Sequence, residues 1–451
     1  MAMNKESFYC HECGYETYKW MGRCPGCGSW STFSEKKISR HAARKTGTEL
    51  TANNLAALEI TENERIPTGI KEFDRVLGGG AVKGSVLLLG GDPGMGKSTL
   101  ILQTASHMNN RGKVLYISGE ESLKQIKMRA GRLMINQNLL VASAAELGPV
   151  MELIKKADPD ILIIDSIQAM YNEESDGIPG SINQVKEVTA ALIQWAKRED
   201  TIVFLIGHVT KEGALAGPKL LEHMVDGVFY LEGERYHSFR VLRGVKNRFG
   251  STNEIGVFLM GERGMEEVED PSSLFISSRQ GAAAGGSAIT AALSGSRPLL
   301  AEIQSLVTAS RYAVPRRTTT GMDHHRVALI MAVLEKHLGC NFQGLDTFVN
   351  VVGGVQLIEP SSDLAVAVSL LSSLKGKAAG HGDIFIGELG LTGEVRPVAR
   401  ILPRVLEAER LGFKRCFLPA QNMNELKKEK RFSVEMVDVG SISQTMEIIF
   451  N

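Results

Sequence analysis

The chain has 451 residues, 43% of them hydrophobic and 23% charged, which excludes wholesale disorder and leaves ample apolar mass for large cores. Lys+Arg (51) equals Asp+Glu (51), so net charge points to no nucleic-acid or membrane partner, and any basic surface has to come from local clustering. No apolar run reaches ~18 residues, which predicts no transmembrane helix, and the start MAMNKESFYCHECG lacks the apolar segment of a secretory signal, so the expected location is cytoplasmic. The length predicts about three domains. The 47 glycines predict tight turns and loops that let a ligand approach the backbone.

Four of the six cysteines stand near the start, with Cys10, Cys13, Cys24 and Cys27 spaced C-x2-C-x10-C-x2-C. Each pair sets two thiolates on one knuckle, and two knuckles complete a tetrahedral zinc site. Gly14 and Gly28, one after each pair, allow the turns that aim N–H groups at sulfur. Residues 1–33 are therefore expected to form a four-cysteine zinc finger whose folding free energy comes mostly from the metal, with Tyr9, Trp20, Trp30 and Phe33 as its apolar mass. Two disulfides are disfavoured by a cytosolic location, and a redox pair by the lack of a surrounding βαβ unit. Cys340 and Cys416 sit in apolar contexts and read as core residues. Residues 34–58 form a basic linker carrying Lys36, Lys37, Arg40, Arg44 and Lys45, either a solvated tether or a DNA-contacting arm.

Residues 59–280 alternate apolar strand runs with helical patterns. Strands are expected at 86–89, 114–117, 161–164, 202–206 and 228–231, and helices at 123–133, 150–157 and 182–197. This pattern predicts an α/β fold with a largely parallel sheet and ligands at its carboxyl ends. The first strand runs into GGDPGMGKST, which fits G-x4-G-K-S. Gly91, Asp92, Pro93, Gly94, Met95, Gly96, Lys97, Ser98 and Thr99 are thus expected to bind ATP. Backbone N–H groups would wrap the β-phosphate, Lys97 would meet the β- and γ-phosphates, and Ser98 would ligate Mg²⁺. Asp165 closes ILIID, where a carboxylate reaches the Mg²⁺ shell through water. Glu120 and Glu121 close LYISGEE, and either could orient or deprotonate the attacking water. His208 closes VFLIGH, as a γ-phosphate sensor or a plain strand-end cap.

TGIKEFDRVLGGG (68–80), GDPGMGKST, ILIIDSIQ, KNRFG (246–250) and CHECGYETYKWMGRCPGCGSW together resemble the bacterial RadA (Sms) DNA-repair family, within the wider RecA-type recombinase and ring-helicase ATPases. The resemblance spans essentially the whole chain. It implies a RecA-like ATPase core and a DNA-dependent motor on recombination intermediates, promoting branch migration or strand unwinding of RecA-made products. It implies ATP, Mg²⁺ and Zn²⁺ as cofactors, RecA and single-stranded or branched DNA as partners, and a homo-hexameric ring. By analogy with RecA, Glu120 is the better candidate than Glu121 for activating water. In the element Lys246, Asn247, Arg248, Phe249 and Gly250, the family implies that Lys246 and Arg248 reach a neighbouring subunit's nucleotide as an arginine-finger-like pair. The bland alternative is an exposed strand with two charges. Loops in RecA-like ATPases that follow the strand ends contact single-stranded DNA. The loop at 171–181 is acidic and a poor match, whereas Lys211 and Lys219 in 211–219 could contact phosphates.

GAAAGG (281–286) reads as a hinge. Residues 287–451 mix helices and strands and resemble the Lon protease's proteolytic domain, most clearly at GELGLTGEVRPV (387–398). Lon-type proteolysis needs a serine and a lysine that takes its proton. An ungapped count puts Ser361 at the serine position and Leu402 at the lysine position, so proteolysis is not expected. Such a domain could serve ring assembly or, through Arg311, Arg316, Arg317 and Arg326, DNA contact. Two rival functions are a RecA-fold ATP-binding switch without motor activity and the remnant of an ATP-gated protease.

Overall fold

The apolar runs of the sequence become the inner strands of a large sheet. The computed structural model describes residues 8–10, 15–26, 28–35, 65–135, 138–175, 177–207, 218–233, 239–274, 276, 285–354, 356–380, 382–427 and 432–450. Two units divide the chain: residues 1–232, 238–252 and 256–267 form one, and 268–451 with 233–237 and 253–255 form the other. Most of the expected basic linker, and residues 281–284 of the expected hinge, lie outside the described residues.

At the start of the first unit, β1 (Phe8–Cys10) pairs antiparallel with β2 (Glu16–Thr17) and β3 (Phe33–Glu35). Cys10, Cys24 and Phe33 are buried together, with Phe8 and Met21 packed on them. Trp20 and Trp30 are 60% and 71% exposed, so neither forms the small core expected of them. The sulfur-bearing cluster does. Further on, β4 (Arg65–Ile66) pairs with β5 (Ala81–Val82). Between them α1 (Lys71–Leu77) stops at Gly78, whose φ of 85° is open to glycine.

The main sheet holds β6 (Val86–Gly90), β7 (Val114–Ser118), β8 (Leu140–Ser143), β9 (Ile161–Asp165), β10 (Ile202–Ile206), β11 (Gly227–Glu232), β12 (Phe239–Asn247), β13 (Ile255–Gly261) and β14 (Gly264–Glu267), in the order β14-β13-β12-β11-β6-β10-β9-β7-β8. The six strands from β11 to β8 are parallel. Helices α2 (Lys97–Met108), α3 (Leu123–Arg132), α4 (Leu147–Ala157), α5 (Ile182–Glu199) and α6 (Pro218–Met224) come between successive parallel strands. Every residue of β6, β7, β9 and β10 is buried. The burial splits by face. Leu87, Leu89, Tyr116, Ile163 and Phe204 lie in one cluster, and Val86, Leu88, Leu115, Leu162 and Val203 in another. A sheet covered on both faces needs apolar residues at consecutive positions, which is the continuous pattern seen in the sequence. Helix α3 opens with a capping box between Ser122 and Gln125.

The second unit begins with α7 (Pro271–Leu274) and the long hairpin β15 (Ser287–Ser294) and β16 (Arg297–Ala309). With β17 (Arg317–Thr320) and β18 (Leu345–Val351) they form a sheet ordered β15-β16-β18-β17. Against it lie α8 (His324–Leu338) and α9 (Asp363–Lys375), the latter buried at every position from Asp363 to Ser372. The short strands β19 (Asp383–Phe385), β20 (Glu388–Leu389) and β21 (Val395–Arg396) follow, then α10 (Ile401–Arg410), β22 (Arg415–Pro419), α11 (Ala420–Leu426), β23 (Glu435–Val439) and α12 (Ile442–Phe450).

Ser361 is 3% exposed and donates to Glu359 Oε1 at 2.6 Å. The side chain that faces it is not Leu402, which packs on the apolar cluster of α10, but Arg404, whose Nη1 donates to Ser361 Oγ at 3.0 Å. Leu402 therefore lies on the apolar side of α10, and the residue two positions on is the one that meets Ser361. Arg404 is 1% exposed and also bonds both Glu359 oxygens and Ala291 O. Burial pushes the Glu359 carboxyl up, but hydrogen bonds from Arg404 and Ser361 outweigh this and hold it below its usual range. Two members of the expected basic cluster are also committed to carboxylates: Arg326 to buried Asp363, and Arg316 to Asp346. Replacing Arg404 with Ala strips Glu359 of its cation. The expected cost is about 3 kcal/mol in the unfolding transition of the second unit, measured by denaturant titration; an unchanged midpoint would contradict the pairing.

Candidate active site

Strand β6 delivers the chain to the carboxyl edge of the sheet, where three glycines shape the next turn. Gly91, Gly94 and Gly96 have φ of 144°, 83° and 98°. A Cβ on Gly91 would lie 2.4 Å from Leu231 O, and one on Gly96 would lie 2.4 Å from the Cε atoms of Met260 and Met265. At Gly94 a Cβ would meet nothing within 4 Å. Gly91 is therefore required by packing against backbone, Gly96 and Gly94 by their positive φ, and Gly94 faces open space. Met95 is buried, and its side chain packs in the core cluster on one face of the sheet. Helix α2 starts at Lys97 with no acidic residue in its first turn, so its free N–H groups and dipole present positive potential.

Lys97 is 4% exposed, and its Nζ donates to Gly91 O at 2.8 Å and Asp92 O at 3.0 Å. Burial drives its pKa down, against the opposing pull of Asp165, Asp92 and Glu120. A cavity of about 640 Å³ opens here, lined by Gly94, Lys97, Ser98, Thr99, Arg129 and Arg132, with the β13–β14 turn on its far side.

Two strand ends bring the acidic residues together. β7 and β9 pair with Ser118 opposite Asp165, so the turn carrying Glu120 and Glu121 lies beside Asp165. Ser166 Oγ donates to Glu120 Oε1. Tyr116, fully buried in β7, donates its hydroxyl to Asp165 Oδ2 at 2.5 Å. Arg129 pairs with Glu121 and lies 3.9 Å from Asp165 Oδ2. Burial raises the Glu121 pKa while Arg129 opposes it. The two adjacent glutamates thus have different surroundings. Glu121 is held by an arginine, whereas Glu120 bonds a neighbouring serine. Tyr116, Arg129 and Ser166 escaped the sequence reading. Only Tyr116 left a signal there, a phenol inside a buried apolar run that needs a partner. His208 and Lys211 lie outside the described residues, and Lys219 is placed only as part of α6.

The KNRFG element ends β12. β11 runs parallel to β6 with Gly227 opposite Leu87 and Tyr230 opposite Gly90, and β12 returns antiparallel with Asn247 opposite Gly227. Arg248 N donates to Asp226 O at 3.0 Å, and Asp226 N to Val86 O at 2.9 Å. The element therefore lies level with the start of β6, whereas the phosphate loop leaves its end, roughly 13 Å further along at 3.3 Å per residue. Arg248 reaches buried Asp226 at 3.2 Å, which also binds Lys197 at 2.8 Å. Lys246 Nζ donates to Glu222 O at 2.7 Å; burial, then Arg248, lower its pKa. Asn247 bonds Leu77 O at 3.2 Å, and Phe249 O accepts from Arg65 at 2.5 Å.

Three stretches match family models: residues 8–35 a rubredoxin metal binding domain, 52–214 an AAA domain, and 319–422 subunit ChlI of Mg-chelatase. DNA repair protein RadA of Bacillus subtilis (strain 168) is 48% identical across 99% of this chain and 99% of its own. The chain belongs to the RadA family of DNA repair proteins. The Listeria monocytogenes RadA is likewise 48% identical, over 99% of this chain and 98% of its own. A KaiC-like protein from Pyrococcus horikoshii OT3 matches 45% of this chain and 98% of that chain at 19% identity and a TM-score of 0.38. The RadA relatives and the three matched models support a DNA-repair ATPase role with ATP and zinc as cofactors. The fold is a RecA-like phosphate-loop core with an N-terminal zinc ribbon and a Lon-protease-like C-terminal domain. Among the described residues, no helix is long and apolar enough to cross a membrane.

Cys13 and Cys27 lie outside the described residues, and the described half of the cysteine set fits a sulfur-bound metal. Cys10 and Cys24 are buried side by side. Gly26 N–H donates to Cys24 Sγ at 3.4 Å, Gly28 N donates to Cys24 O at 2.8 Å, and Gly28 takes a φ of 77°. Mass spectrometry is expected to find one zinc per chain, and Cys24→Ser to expose only the first ~30 residues to protease while ATP binding survives, because a long linker follows. Metal-free protein from a chelator-free preparation would contradict the site.

Proposed function

We propose that this chain is a DNA-stimulated ATPase motor. It acts on recombination intermediates as a homo-hexameric ring and drives branch migration or strand unwinding of the products RecA makes. The observation that carries the reading is the register of β6, β11 and β12. The phosphate loop and KNRFG sit at opposite ends of the same strands, so Arg248 and Lys246 are far better placed to serve a neighbour's nucleotide than their own.

In this mechanism the loop N–H groups and Lys97 bind the β- and γ-phosphates. Ser98 and, through water, Asp165 would hold Mg²⁺, which would supply positive charge to offset that of the phosphates. The residues fit that role: Ser98 lines the cavity, and Asp165 makes no hydrogen bond through Oδ1 among the described residues. Glu120 accepts the proton of the attacking water as the new P–O bond forms and ADP departs. Arg248 of an adjacent subunit, with Lys246 beside it, offsets charge that develops on the γ-phosphate. His208 senses that phosphate, and Lys211 and Lys219 contact single-stranded DNA.

An ATP-binding switch without motor activity would have no use for a trans cation pair. A protease is disfavoured by the Ser361 environment, since the group that faces Ser361 is the Arg404 guanidinium, which offers donors and no acceptor for the serine proton.

Lys97→Ala should abolish turnover, and Arg248→Ala should lower it about 10³–10⁵-fold with little loss of ATP binding, because the stabilised charge appears only in the transition state. Mixing the two inactive variants places some intact loops opposite an intact Arg248, and DNA-stimulated ATPase activity is expected to return in part. Co-assembly without recovery at any ratio would overturn the trans role.

A further inference from the structure

Tyr116 is a phenol at the centre of β7, flanked by Leu115 and Ile117, and neither the loop chemistry nor the trans cations use it. It is fully buried. Burial, then the charge and hydrogen bond of Asp165, raise its pKa well above the ordinary phenol value, so the hydroxyl stays a donor. Its partner is Asp165 Oδ2 at 2.5 Å. Arg129 stands 3.9 Å from the same oxygen and is itself fixed by Glu121. Glu121 is fixed in turn, because its N–H donates to Ser118 Oγ at 2.9 Å and its carbonyl accepts from Ser143 Oγ at 2.9 Å. Both donors thus address one oxygen of a carboxylate that is itself only 5% exposed. The other oxygen, Oδ1, takes no hydrogen bond among the described residues, and the carboxylate's charge acts on Lys97 of the phosphate loop.

We propose that Tyr116 is a positioning residue for the divalent cation: by occupying Oδ2 it locks the Asp165 carboxylate so that Oδ1 alone meets the metal's water shell, with Arg129 and Glu121 bracing the arrangement. This rests on the reading that Asp165 serves the Mg²⁺ shell. A carboxylate without such a lock swings about its terminal torsion, which is broad and roughly two-fold, and divides its time between orientations. Partners of a directly ligating residue are worth about 10–100-fold in metal affinity, and the low end of that range applies to a carboxylate that reaches the metal through water. The lock acts on metal binding and not on the nucleotide, because among the described residues the Tyr116 hydroxyl bonds Asp165 and no group of the phosphate loop.

Tyr116→Phe removes one hydroxyl and keeps the ring that fills the core. The test is equilibrium binding of a fluorescent ATP analogue to the full-length chain, first in EDTA and then across a Mg²⁺ titration, beside Asp165→Asn and the double variant, with thermal melts of all three. The expected result is unchanged analogue affinity in EDTA, a Mg²⁺ midpoint about tenfold higher for Tyr116→Phe, a shift at least as large for Asp165→Asn, and no further shift in the double variant. A Tyr116→Phe midpoint like wild type while Asp165→Asn shifts would overturn the positioning role and leave Asp165 in place. Midpoints unchanged in both variants would overturn both assignments. Weaker analogue binding in EDTA by Tyr116→Phe, with no separate metal effect, would reduce Tyr116 to a packing residue and overturn the proposal.

Discussion

Parallel pairing collects the carboxyl ends of β6, β10, β9, β7, β8 and β11 on one edge of the first unit's sheet, and the chemistry of the site depends on this. The phosphate loop, the Glu120–Glu121 turn and Asp165 follow β6, β7 and β9, and each leaves its strand at the same edge. The antiparallel return of β12 has the reverse consequence. It carries KNRFG to the amino edge, where Asp226, the α1 terminus and the carbonyls of α6 fix it. One sheet thus displays a nucleotide pocket at one edge and a cation pair at the other, the polarity that a head-to-tail ring needs.

Legibility in the sequence followed physical locality. The inner strands were readable because burial on both faces demands unbroken apolar runs, and the phosphate loop because its glycines answer constraints within a few residues. β12, β13 and the hairpin β15–β16 were not placed. They face other elements unevenly, and β16 mixes buried and exposed positions along 13 residues, which blurs any period. The bracing of the site was hidden for a related reason. Tyr116 and Asp165 are 49 residues apart, and only the register of β7 against β9 makes them partners.

The second unit shows what counting cannot supply. Leu402 and Arg404 lie two residues apart on one helix, and two residues turn the side chain by about 200° at 3.6 residues per turn. The helix turns Arg404 inward to Ser361 and Glu359, where it forms a buried ion pair.

The central claim is that hydrolysis at this pocket answers to DNA. Steady-state ATP turnover of the full chain, measured at saturating Mg-ATP with and without single-stranded DNA, tests it most directly. The account predicts that DNA raises the rate and that the stimulation weakens with added salt, as phosphate contacts require. A rate indifferent to DNA at low salt, in protein that binds ATP, would contradict it and favour the switch.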